Sequence, residues 1–286
     1  MNDAFPNLEK LKSNFLSWTE SQKDIRAVII VGSQARTDHP ADKWGDLDLM
    51  IYTNNVGQYF RDKGWLNKTG DVLISFMHQT VAGQPELLVL FEGGYNVDFV
   101  FQPLSSLEEL IELDVLPDTF KRGYKVILDK DGVAGRLKSS QSAPLKAHPP
   151  TEEMFLQIVN MYLYASLYVA KQLCRNERWL VKIRDANLKE CLLNMIQWQA
   201  GVDSGWNIDV WHFGKFMHEW GDKKTMERLN KVYGHFDSHD SWDALFATNE
   251  LFRSLSTYVG SELGFHYPKE TDDAISKLIL SYFHNT

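Results

Sequence analysis

Asp46-Leu47-Asp48 is the stretch that most restricts what this chain can fold into. Its two carboxylates open the run Asp46-Leu47-Asp48-Leu49-Met50-Ile51-Tyr52, which reads as a β-strand. Side chains alternate across a strand with a period of two, so Asp46 and Asp48 share one face and Leu47, Leu49 and Ile51 the other. Two carboxylates on one face repel each other unless something positive sits between them, and a hard divalent cation is the natural occupant. Fourteen residues before Asp46, the apolar run Ala27 to Val31 reads as a buried strand ending in Gly32-Ser33. Gly32 permits close backbone approach, and Ser33 with the amides after it suits a phosphate held at a helix start.

The third piece is Tyr95-Asn96-Val97-Asp98-Phe99-Val100-Phe101, in which one acid interrupts an apolar strand. Aspartate is depleted in strands and rarely buried without a partner. If this strand lies beside the one carrying Asp46 and Asp48, three carboxylates converge on one patch. A phosphate cradle beside such a trio suits metal-assisted attack on a nucleotide phosphate, with two metals bracketing nucleophile and leaving group. Singly, each feature has a plainer reading: a solvated strand end, a turn, a strand-edge charge. The order strand, Gly-Ser, Asp-x-Asp strand, Asp strand favours the chemical one.

Composition narrows the class. The 286 residues suffice for one large or two modest domains, and 44% apolar with 24% charged residues is ordinary for a soluble globular chain. No run of about 18 apolar residues offers a membrane span, and the first residues lack the basic-then-apolar pattern of a secretory signal, so a cytoplasmic protein is expected. Cys174 and Cys191 have no zinc spacing and read as two buried thiols. The net charge of −8 argues against a nucleic-acid partner, which wants a basic stripe. Acids outnumber bases in residues 1–150 and 203–286, and an acidic cleft would attract a polycationic small molecule.

Along the chain, Phe5 to Trp18 has helical spacing and reads as a cover on the strand Ile25–Val31. Gln34–Thr37 reads as the opening of a short helix, with Arg36 placed to reach a phosphate or to pair with Asp38. Residues 57–68 read as a polar helix. Val72–His78 and Glu86–Glu92 read as strands joined by Gly83-Gln84-Pro85, and Gly93-Gly94 turns the chain into the Asp98 strand. This gives a mixed sheet of about five strands with helices on it. Leu104–Glu112 reads as a helix, Lys125–Leu128 as a last short strand, and 135–150, with Pro144, Pro149 and Pro150, as a linker. From Thr151 the pattern changes to long helices, with Thr151-Glu152-Glu153 as an N-terminal cap. The fold class is therefore α+β.

Gly32-Ser33, Asp46-x-Asp48 and Asp98 together resemble the signature of the nucleotidyltransferase superfamily related to DNA polymerase beta. The remaining chain resembles one branch, the aminoglycoside 6-adenylyltransferases or streptomycin adenylyltransferases, in Val169 to Glu177, Cys191 to Trp198, Ala244 to Arg253 and Gly264 to Pro268. The resemblance implies a nucleotidyltransferase domain over 1–148 and a helical substrate-binding domain over 149–286. It implies ATP as co-substrate, held with Gly32, Ser33 and Arg36, with the Lys125–Gly132 segment near the nucleotide. Asp46, Asp48 and Asp98 are the expected ligands of Mg2+, two ions in number. AMP would pass to a hydroxyl of a cationic aminoglycoside.

A sugar hydroxyl has a pKa far above neutrality, so a base is expected. The resemblance points to Asp185, read as lying at the start of the second long helix, where an N-cap is its plainer role. Glu92 and Asp98 compete for the task. Trp206, Trp211, Asp237, Asp240 and Trp242 are further candidates for holding the cation. Rival readings are another small hydroxyl acceptor, such as a lincosamide, and a non-catalytic nucleotide-binding or protein-partner module.

Overall fold

The computed structural model describes residues 6–113, 116–139 and 146–285. Phe5 and Pro144, which figure in the sequence reading, lie outside these residues. The chain divides into two compact units, Met1–Pro144 and Leu145–Thr286.

The first unit is built on six strands: β1 (Ile25–Val31), β2 (Leu47–Thr53), β3 (Val72–Gln79), β4 (Pro85–Phe91), β5 (Tyr95–Pro103) and β6 (Lys125–Asp129). Their order across the sheet is β3-β4-β5-β2-β1-β6, one strand more than the expected five, with Lys125–Asp129 added antiparallel to β1. Only β2 and β5 run parallel, so the sheet is mixed. Helices α1 (Pro6–Ser21), α2 (Val56–Arg61) and α3 (Leu66–Thr69) cover the face carrying Leu47, Leu49, Ile51, Val97, Phe99 and Phe101. Residues 57–68 are neither one helix nor wholly polar. Tyr59 and Trp65 are buried, and Tyr59 stacks on Phe101 at 4.8 Å, because large rings contribute most of the apolar area to a small core.

The opposite face carries Ala27, Ile29, Val31 and Tyr52, packed under α4 (Leu104–Glu112) and α5 (Asp118–Lys121). Alternation puts Asp48 on this same face, two and four residues before Met50 and Tyr52. The apolar cover takes in Met50 and Tyr52 and does not include Asp48 or Asp98, so the sheet changes from core to polar surface within one strand.

The second unit is helical: α6 (Glu152–Cys174), α7 (Arg178–Asp203), α8 (Met217–Trp220), α9 (Lys223–Leu229), α10 (Ser238–Leu263) and α11 (Lys269–His284). Thr151 caps α6 as expected, accepting from the Met154 amide at 3.2 Å. Gly264 ends α10 in the left-handed region at φ 71°, which a side chain would resist. Phe155, Val159, Tyr162, Met195, Ile196, Phe252 and Val259 form the core, with Tyr162 and Phe252 stacked at 3.6 Å. Against the expectation of two buried thiols, Cys174 is exposed, while Cys191 is buried among the helices; both are thiols outside any disulfide. Cys174 is the last residue of α6 and follows directly on the buried Leu173. No helix among the described residues is long and apolar enough to cross a membrane.

Candidate active site

The parallel pairing of β2 with β5 decides the geometry. Its register sets Asp48 directly opposite Asp98, with Leu47 opposite Val97 and Leu49 opposite Phe99. Neighbouring strands lie about 5 Å apart, so the two carboxylates are immediate neighbours on one face. Asp46 stands one residue before β2 and is exposed, and Asn96 Nδ2 donates to its Oδ1 at 3.1 Å. All three acids therefore meet at the same corner of the sheet.

The Asp98 carboxyl is pushed up to about 7, first by burial and then by the charges of Asp48, Glu86 and Asp46, with His78 pulling the other way. Four carboxylates thus gather at this corner, and their mutual repulsion favours a cation brought among them. A divalent cation fits that need, and the donor set is the oxygen-only one that Mg2+ takes. Among the described residues no group of three or more His, Cys, Asp or Glu side chains is placed to hold a metal ion by itself. Mg2+ is ordinarily held by one or two carboxylates and completes its shell with water and phosphate oxygens, so the pair Asp48 and Asp98 with Asp46 beside it suits this ion.

Gly32 shows how closely the turn is fitted to the acids. It has φ 68°, and a Cβ at this position would overlap the Asp48 carboxylate, so both its conformation and its surroundings demand glycine. Gly45 likewise leaves room for Ser33, whose Oγ would lie 3.2 Å from an added Cβ. The expected helix over Gln34–Thr37 is instead a single 3-10 turn, Gly32–Gln34. The chain then leaves the helical path, because Ser33 O accepts from the Ala41 amide at 3.0 Å and closes the loop. A lone turn has no macrodipole to offer, so any phosphate here depends on local amides and hydroxyl. Arg36 Nε donates to His39 O at 2.7 Å, which ties the guanidinium to this loop. On β6, Lys125 Nζ donates to Gln34 O at 2.7 Å and so brings a cation to the turn.

Two residues of this corner escaped the sequence reading. Leu88 of β4 lies opposite Asp98, and Glu86, two residues earlier, shares its face. His78 of β3 lies opposite Glu86, with Nδ1 donating to Glu86 Oε1 at 2.8 Å. Glu92, a candidate base, is elsewhere. It stands in the turn after β4 and lines a hollow of about 620 Å³ with Lys10, Asn14 and Asp71.

The streptomycin adenylyltransferase family matches this chain over residues 7–282. The chain belongs to that family. Relatives named aminoglycoside 6-adenylyltransferase include one from Campylobacter jejuni, 27% identical over 93% of this chain and 92% of its own. Another, from Bacillus subtilis, is 26% identical over 94% of this chain and 95% of its own. A solved structure of an aminoglycoside 6-adenyltransferase from Bacillus subtilis aligns over 96% of this chain and 97% of its own, with 22% identity and a TM-score of 0.45.

In this member of the streptomycin adenylyltransferase family, Asp185 is not at a helix start. It lies two turns inside α7, whose first residue is Arg178, so it caps nothing. Its Oδ1 accepts from Lys189 Nζ at 2.6 Å, and the same ammonium donates to Thr248 Oγ1 at 3.0 Å. Burial lowers the Lys189 pKa, and the Asp185 charge acts to raise it. The pair lines a cavity of about 560 Å³ with Lys182, Glu190, Phe213 and Tyr233.

The remaining cation candidates have structural tasks. Asp237 is the N-cap of α10, accepting from the Asp240 amide at 3.0 Å, and this amide holds its pKa below the usual range. Asp240 is held low by the His235 amide and ring. Trp211 and Trp242 are buried in the helical core, and the Trp206 ring packs where a Cβ on Gly201 would be.

Proposed function

We propose that this protein transfers AMP from ATP to a hydroxyl of streptomycin or a related aminoglycoside, releasing pyrophosphate. The observation that carries the reading is the direct register of Asp48 with Asp98 under a Gly32 that only glycine could occupy, in a chain of this family. Bound Mg2+, two ions on this reading, would polarise the α-phosphate and neutralise charge on the departing pyrophosphate. Asp46, Asp48 and Asp98 would hold the ions. Gly32 lets the backbone approach the nucleotide, and Ser33 with its neighbouring amides binds phosphate oxygens. Arg36 and Lys125 supply positive charge at the turn. Asp185 receives the proton of the attacking hydroxyl, oriented by its bond to Lys189.

The protein has no helix suited to a membrane among its described residues, and its acidic balance favours a cationic small molecule over nucleic acid. We place it in the cytoplasm, where ATP is available. The test is pyrophosphate release from ATP and Mg2+ with and without streptomycin, beside Asp48→Ala. Release that needs both streptomycin and Asp48 supports the reading. Mg2+-dependent ATP binding without release, whatever the hydroxyl acceptor, would favour a nucleotide-binding module instead.

A further inference from the structure

We propose that Glu86, oriented by His78, receives a cationic group of the acceptor at the edge of the carboxylate corner. The inference rests on the adenylyltransferase reading and adds a specificity-determining residue to it. The sheet sets its polar groups in a slanting row, with Glu86 two residues along β4 from the Leu88 that faces Asp98. Gly32 and Ser33 follow β1, Asp46 and Asp48 belong to β2, Asp98 to β5, Glu86 to β4 and His78 to β3. The phosphate-holding turn is thus at one end of the row and the Glu86–His78 pair at the other.

In-line transfer requires the nucleophile to enter opposite the departing pyrophosphate. With the triphosphate at the Gly32 end, the acceptor enters from the Glu86 end. Glu86 is fitted to meet it. Its side chain is 12% exposed, one oxygen is fixed by His78, and the other has no hydrogen bond among the described residues yet is not sealed from solvent. A carboxylate immobilised in this way loses little freedom on binding an ammonium or guanidinium, and gains a charge-assisted hydrogen bond. Beside it, His78 and Pro85 line a shallow open hollow of about 690 Å³ with Met77, Gln79 and Thr80, wide enough for a sugar or aminocyclitol ring. Glu86 is set apart from the ion-holding pair by its strand: Leu88, not Glu86, is the residue opposite Asp98.

The experiment is steady-state kinetics of the full chain and its Glu86→Gln, Glu86→Asp and His78→Ala variants. It is joined to calorimetric binding of streptomycin in the presence of a non-hydrolysable ATP analogue and Mg2+. Loss of one charge-assisted bond corresponds to about 10- to 100-fold in affinity. Glu86→Gln is expected to raise the KM and Kd for streptomycin by about that factor. The KM for ATP should stay within about twofold, and melting temperature should not fall. Glu86→Asp should recover part of the loss, and His78→Ala should show a smaller rise in the same direction. An unchanged streptomycin Kd in Glu86→Gln, or equal losses for ATP and streptomycin, would overturn the proposal while leaving the adenylyltransferase intact. A wild type that neither binds streptomycin nor turns over with it would overturn both.

Discussion

Asp98 and Asp272 are the same side chain taken out of water in two regions, and the protein treats them in opposite ways. Asp272, 3% exposed in the helical unit, accepts from Arg253 Nη2 at 2.8 Å and from Arg253 Nε, from Tyr267 at 2.9 Å and from Ser276 at 3.2 Å. Burial alone would raise its pKa, but the hydrogen bonds and the Arg253 charge outweigh it and the pKa falls. Asp98 is half-buried beside Asp48, with Glu86 and Asp46 near, and its pKa rises to about 7. One carboxylate is satisfied by its own fold. The other keeps the repulsion of its neighbouring carboxylates, which suits it to the cation that the proposed reaction would bring.

The comparison can be broken in several places. The largest effect is expected for Asp48→Ala, which removes an ion ligand and should lower pyrophosphate release by roughly 1,000-fold, the scale of several kcal/mol of lost charge stabilisation. The same change removes the Asp48 charge that helps to raise the Asp98 pKa. Arg253→Ala should act on stability instead. It leaves Asp272 buried and unpaired, and urea unfolding should show a loss of about 2–4 kcal/mol. The lower end is favoured because the Arg253 side chain is 39% exposed and partly screened. Activity per folded molecule should hold. The pair Arg253→Met with Asp272→Leu should recover most of the stability. The smallest effect is for Asp237→Ala, which removes an N-cap worth about 1 kcal/mol. The KM for streptomycin should stay within about twofold, and a tenfold rise would return Asp237 to the substrate side.

Much of the sheet was legible because its signals are local. A period-two strand with acids on one face declares itself within seven residues, and β1 follows directly from the apolar run before Gly32. Register is not local. Nothing in Tyr95–Phe101 states that Asp98 will face Asp48, and Glu86 joins the site only through the β3–β4–β5 pairing. The signal for Glu86 was its place two residues before Leu88 in an otherwise apolar strand, and it needed the register to acquire meaning. The short helix after Ser33 failed because the left-handed Gly32 and the Ser33–Ala41 bond stop the turn after three residues. Asp185 was misplaced within its helix because Arg178-Trp179-Leu180-Val181 extends α7 nearly three turns earlier than the apolar pattern from Leu188. Trp206, Trp211 and Trp242 show the limit of composition: a tryptophan that grips a ligand and one that fills a core read alike until packing separates them.

The most direct test is the melting temperature of wild type and Asp98→Asn, measured without Mg2+ from pH 4 to pH 8. An acid whose native pKa is raised binds more protons folded than unfolded between about pH 4 and about pH 7, so it destabilises the fold progressively as pH rises through that window. Asp272, with its native pKa depressed, contributes stability above its unfolded pKa and loses it as pH falls, so the two regions pull in opposite directions. The account predicts that Asp98→Asn melts above wild type at pH 7.5, that the difference vanishes near pH 4, and that Mg2+ raises wild type more than the variant. A variant that melts below wild type at pH 7.5 would contradict it, since Asp98 would then be satisfied by the fold in the manner of Asp272.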